Sequence, residues 1–108
     1  MLITERKKDG IKYLELHGRI DGSDSNFEEE LKDMILNEKR IVIDCAGMNF
    51  INSNGLRTFL MAVKTVNAEK GKIVICNLTP AIEDIFKISG FANIIPIFKT
   101  IEEAMENV

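Results

Sequence analysis

The 108 residues are 45% hydrophobic and 29% charged with a formal net charge of -3, the composition of one soluble globular domain with its own core. A chain of this length buries about two thirds of its unfolded surface. Acidic and basic residues are interspersed, the aromatics are six Phe and one Tyr, and no apolar run nears the ~20 residues of a membrane span, so neither nucleic acid nor a membrane is expected as a direct partner.

The first residues, "MLITERKKDG", carry charge within five positions and lack the apolar stretch of a signal peptide, which predicts a cytoplasmic protein. Asp9-Gly10 suits a type I′ turn between antiparallel strands around residues 2–6 and 11–17. "SNFEEELKDMI" reads as a helix. Ser25 and Glu28 make a capping box, Phe27, Leu31, Met34 and Ile35 share one face, and acids lead while Lys39-Arg40 follow, as the helix dipole prefers.

"RIVIDC" (40–45) and "KIVIC" (72–76) are short β-branched runs of the kind found in interior, often parallel, strands, although periodicity alone leaves a buried helix open. Between them Leu56, Phe59, Leu60, Val63 and Val66 recur at helical spacing, and Gly71 suits the position after the helix end, which gives a strand–helix–strand crossover. "LTPAIEDIFKISG" is a further helix, with Thr79 as cap, Pro80 at its first position, Ile82, Ile85 and Phe86 facing inward, and Gly90 as its stop. "NIIPIF" is a last strand, pushed by Pro96 toward a sheet edge or a strand end, and "TIEEAMENV" opens on a capping box from Thr100 to Glu103. The order is close to ββαβαβαα. It makes residues 1–108 one α/β domain, a mixed sheet of about five strands (an N-terminal hairpin plus parallel βα units) with about four helices on it.

Cys45 and Cys76 each end an apolar run, which fits neither a metal site nor a disulfide framework and predicts buried, reduced thiols. Equivalent ends of neighbouring strands could bring them close enough to oxidise in vitro. His17, the only histidine, lies on a predicted strand and is remote in sequence from Ser53 and both cysteines, so no catalytic set assembles around it. The acids of "DGSDSNFEEE" lack the spacing and glycine of a calcium loop, and no glycine-rich nucleotide motif is present, so no metal or cofactor is expected.

The informative stretch is "FINSNGLRTFL" (50–60). Asn54-Gly55 would signal a hairpin between alternating strands, but the downstream period is near 3.6, so a helix begins here. With Asn52 as N-cap, Ile51 and Leu56 fall at the two positions of a hydrophobic staple, whereas Ser53 as cap would pair Asn52 with Arg57. Asn52 is therefore the expected cap, and Ser53 stands at the first helical position with a free hydroxyl. Gly55 in the first turn costs up to ~1 kcal/mol against alanine, which suggests close approach of another backbone. The cluster follows a predicted parallel strand, the edge where sites in open α/β sheets collect, and a helix N-terminus favours an anion. From the residues alone a plain helix cap is the simpler reading, and a phosphate acceptor is the other.

"IVIDCAGMNFINSNGLRTFL" resembles the signature of the STAS domain family of anti-sigma factor antagonists, a strand ending in Asp, a short loop, then Asp-Ser-Ser/Thr/Ala-Gly-Leu opening a helix. "LHGRIDGSDSNFEEEL" is similar to the family's Gly-x-Leu/Ile-Asp loop and first helix, and "LTPAIEDIFKISGFANII" to its downstream Pro-containing helix and Ser/Thr-Gly turn. The resemblance spans nearly the whole chain. It implies a bacterial regulator and not an enzyme. Its unphosphorylated form would bind an anti-sigma factor with serine kinase activity and free the sigma factor, phosphorylation would release it, and a PP2C-type serine phosphatase would reset it. By resemblance Ser53 is the phosphoacceptor, with a partner surface of Asp21, Gly22, Ser23, Asn52, Asn54, Gly55, Leu56 and Arg57, and Gly55 leaves room for the partner.

Two positions depart from the family pattern. Asn52 replaces its Asp, capping about equally well while removing a negative charge, and Asn54 replaces a small residue. The alternative is a stand-alone STAS regulatory domain that binds a small ligand, a nucleotide or a non-sigma partner without phospho-switching.

Overall fold

The computed structural model describes residues 2–23 and 26–108. β1 (Leu2–Lys8) and β2 (Ile11–Ile20) form the expected hairpin, with Asp9 and Gly10 at φ 54° and 78°, both positive as a type I′ turn requires. Then come α1 (Phe27–Ile35), β3 (Arg40–Ile51), α2 (Ser53–Ala68), β4 (Lys72–Cys76), α3 (Pro80–Ile88), a 3₁₀ turn (Phe91–Asn93), β5 (Ile97–Phe98) and α4 (Ile101–Glu106). The order is thus ββαβαβαβα, with β5 a two-residue strand between the last two helices. The sheet runs β1-β2-β3-β4-β5, antiparallel at the first pair and parallel at the other three. Pro96 immediately precedes β5, which is an edge strand, as a residue without an N–H dictates.

Two cores divide the sheet. Leu14, Leu16, Ile41, Ile43 and Ile75 point to one face, where Phe27, Leu31 and Ile35 of α1, Phe59 and Val63 of α2, and Ile82 and Phe86 of α3 close over them. Phe86 meets Phe59 edge-on at 5.5 Å and Phe91 at 6.2 Å, arrangements that suit aromatic quadrupoles. On the other face Ile11, Tyr13, Val42, Val74 and Cys76 pack with Ala104, Ile101 and Met105 of α4, joined by Phe98 of β5 and by Val108. Arg40 donates to the carbonyls of Val108 and Asp9, tying the end of the chain to the hairpin turn.

Four details differ from the sequence reading. β3 does not stop at Cys45 but continues to Ile51 against a β2 that reaches Ile20. Two register shifts make this possible, between Glu15 and His17 and between Gly18 and Arg19, where β3 spends one residue more than β2. At the first, the Ala46 N–H turns to the Asp44 carboxylate at 3.0 Å, and Gly47 offers no Cβ to collide with the His17 ring, whose Nδ1 would lie 2.3 Å away. The last turn of α2 ends on Lys70, not Gly71. Lys70 takes the left-handed conformation (φ 59°), while its N–H and that of Gly71 reach the carbonyls of Asn67 and Val66. Gly71 is glycine for another reason, because a Cβ there would sit 2.8 Å from the Lys39 carbonyl oxygen. Thr79 occupies the cap position of α3 without a side-chain cap bond. α1 starts at Phe27, and the Ser25 half of its expected capping box lies outside the described residues.

Cys45 and Cys76 are buried and free, and they belong to opposite faces. Cys76 pairs in register with Asp44, so the pleat aims the neighbouring Cys45 the other way and the expected oxidation route between them is closed by geometry. Burial raises both thiols, Cys76 to about 12, with the Asp44 charge adding to the effect on each. A thiol reagent at pH 8 should therefore label both cysteines only through unfolding, at least about a thousandfold slower than in denaturant. Labelling of folded protein at the free-thiol rate would contradict this placement.

Candidate functional site

The expected helix head is present. Asn52, in extended backbone, caps α2 by accepting the Gly55 N–H on its side-chain oxygen at 3.1 Å, and its carbonyl accepts the Leu56 N–H at 2.9 Å. Ser53 is the first helical residue and is exposed. No acidic residue stands in this first turn to oppose an anion. Because β3 is longer than its sequence suggests, only Asn52 separates the strand from Ser53, so the serine stands at the carboxyl end of the central strand and not in a loop.

The second wall is the segment after β2. Asp21, half-buried, gathers it. One carboxylate oxygen accepts the Ser23 hydroxyl at 2.6 Å and the Ser23 N–H at 3.0 Å, and the other takes Arg19 Nε at 3.4 Å. These bonds, the Ser23 hydroxyl first, hold the Asp21 carboxyl below its ordinary value of 3.8. Arg19 also lies over the Phe50 ring at 4.0 Å, a cation–π contact between two register partners of the extended strands.

Asn52 and Asn54 join the two walls. Asn52 uses both ends of its amide. The oxygen caps the helix while Nδ2 donates to the Asp21 carbonyl at 3.2 Å, a bond an ionised aspartate cannot make. Asn54 packs against Gly22, where an added Cβ would fall 2.7 Å from the Asn54 Cβ, and its side-chain oxygen accepts from Arg57 at 3.2 Å. Gly22 also needs its positive φ of 85°.

The structure brings Asp21, Gly22, Ser23, Asn52, Ser53, Asn54 and Arg57 to one face. It places Gly55 and Leu56 inside. Leu56 is 8% exposed and belongs to the main core. The room beside Gly55 is taken by the protein itself, since a Cβ there would lie 2.2 Å from the Ile20 carbonyl oxygen and 2.8 Å from Ile51. The backbone approach inferred from the glycine is thus internal, and the space expected for a partner is filled. Arg19, Phe50 and Ile20 escaped the sequence reading. Their roles follow from a register that two bulges create, and no spacing in the chain announces it. His17 is a half-exposed strand residue facing Glu15 at 3.6 Å.

The family model for the STAS domain matches residues 3–104. The chain is 33% identical over 106 residues to the "Putative anti-sigma factor antagonist BtrV" of Bordetella bronchiseptica, covering 96% of this chain and 91% of that one. It is 25% identical over 92 residues to an anti-sigma F factor antagonist of Paenibacillus polymyxa, 82% and 79% of the two chains. Among solved structures, an anti-sigma factor antagonist from Mycobacterium paratuberculosis superposes with a TM-score of 0.85 at 20% identity, over 99% and 92% of the chains. The phosphorylated form of the Bacillus cell fate determinant SpoIIAA superposes at 0.71 and 18%, over 98% of each. At these identities the structures speak to the fold alone.

Replacing Asn52 by Asp should keep the cap and lose the bond to the Asp21 carbonyl, at about 1 kcal/mol in urea unfolding. Gly55→Ala should cost about 1–3 kcal/mol despite its better helix propensity, because the obstacle is backbone. Followed by NMR, the Asp21 carboxyl should titrate below 3.8, and Ser23→Ala should move it upward. Because the folded value is depressed, the contribution of this loop is present above the ordinary carboxylate value and is lost as pH falls through the lowered one. An Asp21 titration unchanged in Ser23→Ala would contradict the bonding described.

Proposed function

This chain belongs to the STAS domain family of anti-sigma factor antagonists, and from that premise we propose that it is a partner switch thrown at Ser53. The unphosphorylated protein binds an anti-sigma factor that is also a serine kinase and so frees a sigma factor. Transfer of phosphate to the Ser53 hydroxyl ends the complex, and a PP2C-type phosphatase restores it. The observation that carries this reading is the exposed Ser53 at the first position of α2, framed by the Asp21–Ser23 segment on one side and Arg57 on the other.

The physical argument has two parts. A phosphate on Ser53 brings a charge of about -1.5 to -2 at pH 7, and the N-terminus of a sixteen-residue helix accommodates it without unfolding anything. Arg57, four residues on and bonded among the described residues to the Asn54 side-chain oxygen alone, is spaced to pair with it. The modification therefore leaves the fold in place and changes the face a partner meets, where unfavourable charge or lost packing costs several kcal/mol. Asn52 serves this by bonding the helix head to the Asp21 carbonyl, and Asn54 packs beside Gly22.

The test is co-purification with the kinase-type anti-sigma factor of the same genome. Ser53→Ala should bind it and resist phosphorylation. Ser53→Asp should bind at least about thirtyfold more weakly, ~2 kcal/mol. Equal binding by Ser53→Asp, with phosphate absent from Ser53 after incubation with the kinase and ATP, would sink the switch.

A further inference from the structure

On the opposite face of the sheet, and at its opposite end, lies a second place built to receive something. β1 is an edge strand, and α4 stops short of covering it. Between them is a groove of about 430 Å³ lined by Arg6, Lys7, Lys8, Tyr13, Ile101 and Met105. The volume is within the range of small-molecule sites.

Three features of the lining point to one ligand chemistry. The first is Tyr13, only 6% exposed, whose hydroxyl is buried with no hydrogen-bond partner among the described residues. Buried hydroxyls are normally satisfied, and an orphaned one is costly. The second is unmatched positive charge. Lys7 is engaged by Glu38 at 3.0 Å, but Lys8 makes no ion pair among the described residues. Arg6, the register partner of Tyr13, lies 5.9 Å from its ring centre and shares its charge with Glu15 at 3.5 Å, a long and exposed pair. The third is an apolar wall, Ile101 and Met105, one turn apart on α4 and only partly buried. Met105 is a flexible thioether that yields to an incoming shape. Charged side chains also guard an edge strand against unwanted pairing, which explains Lys8 but neither the groove nor the orphaned hydroxyl.

We propose that this groove binds a small monoanionic amphiphile, a carboxylic acid with an apolar tail. The carboxylate sits between Lys8 and Arg6, and the tail lies along Ile101 and Met105. A shift of the Arg6 or Met105 side chain brings the Tyr13 hydroxyl to the carboxylate as a donor. One net cation matches one anionic charge, and an apolar wall excludes a purely hydrophilic ion. The site is independent of the switch at Ser53 and stands whether or not that serine is phosphorylated.

The molecule carries its own reporter, because Tyr13 is the only tyrosine and tryptophan is absent. Tyrosine emission of the intact chain should change saturably with decanoate, below the concentration at which decanoate aggregates. It should not change with decyltrimethylammonium, which has the same tail and the opposite charge, or with acetate, which has the head alone. Lys8→Gln should weaken decanoate binding about three- to fivefold without changing the melting temperature by more than a degree or so. Tyr13→Phe, which removes the orphaned hydroxyl, should melt about 4 °C or more higher in the absence of ligand and bind decanoate more weakly, read on the Met105 methyl resonance. No saturable response to decanoate, an equal response to the cationic amphiphile or to acetate, unaltered binding by Lys8→Gln, or a lower melting temperature for Tyr13→Phe would each overturn the proposal.

Discussion

The approach of β2 to the first turn of α2, with no side chain between them, is the constraint on which the site depends. The Ile20 carbonyl occupies the space that any Cβ on residue 55 would need. That contact sets the distance between the end of one strand and the head of the next helix but one. The hydrogen bond from Asn52 to the Asp21 carbonyl then fixes their relative rotation. Ser53 is exposed on the surface above this contact.

Division of the sheet into two faces separates two kinds of work. The face under α1, α2 and α3 holds most of the large buried side chains and supplies stability. The face under α4 has a smaller cluster and a partly open flank beside the hairpin. The Ser53 face is built on the first, beside the larger core. The groove lies on the second, where long side chains of β1 and α4 can adjust at little cost.

Much of the fold was legible because it follows from short-range rules. Asp9-Gly10 fixes a turn with two positive φ values, Asn52 is selected as cap by the staple between Ile51 and Leu56, and Pro96 confines β5 to an edge. Two of the misreadings are places where a distant segment intervenes. Gly71 suits a helix stop, yet Lys70 takes that left-handed conformation, and Gly71 instead makes room for the Lys39 backbone. β3 runs past Cys45 although its second half lacks a continuous β-branched run, because β2 holds it as a strand through two bulges.

The chain by itself determined the kind and order of most elements, the cap, the serine at the first helical position and the family to which they belong, since each is encoded by residues within a turn or two of one another. Tertiary structure alone decided that Gly55 and Leu56 face inward, that Cys45 and Cys76 point to opposite faces, that Asn52 bonds the Asp21 carbonyl while Asn54 packs on Gly22, and that the Tyr13 hydroxyl is buried without a partner among the described residues. These depend on strand register and on which face of a pleat a residue takes. A shift of one residue reverses both, and pairing between segments far apart in sequence is what chooses between the alternatives.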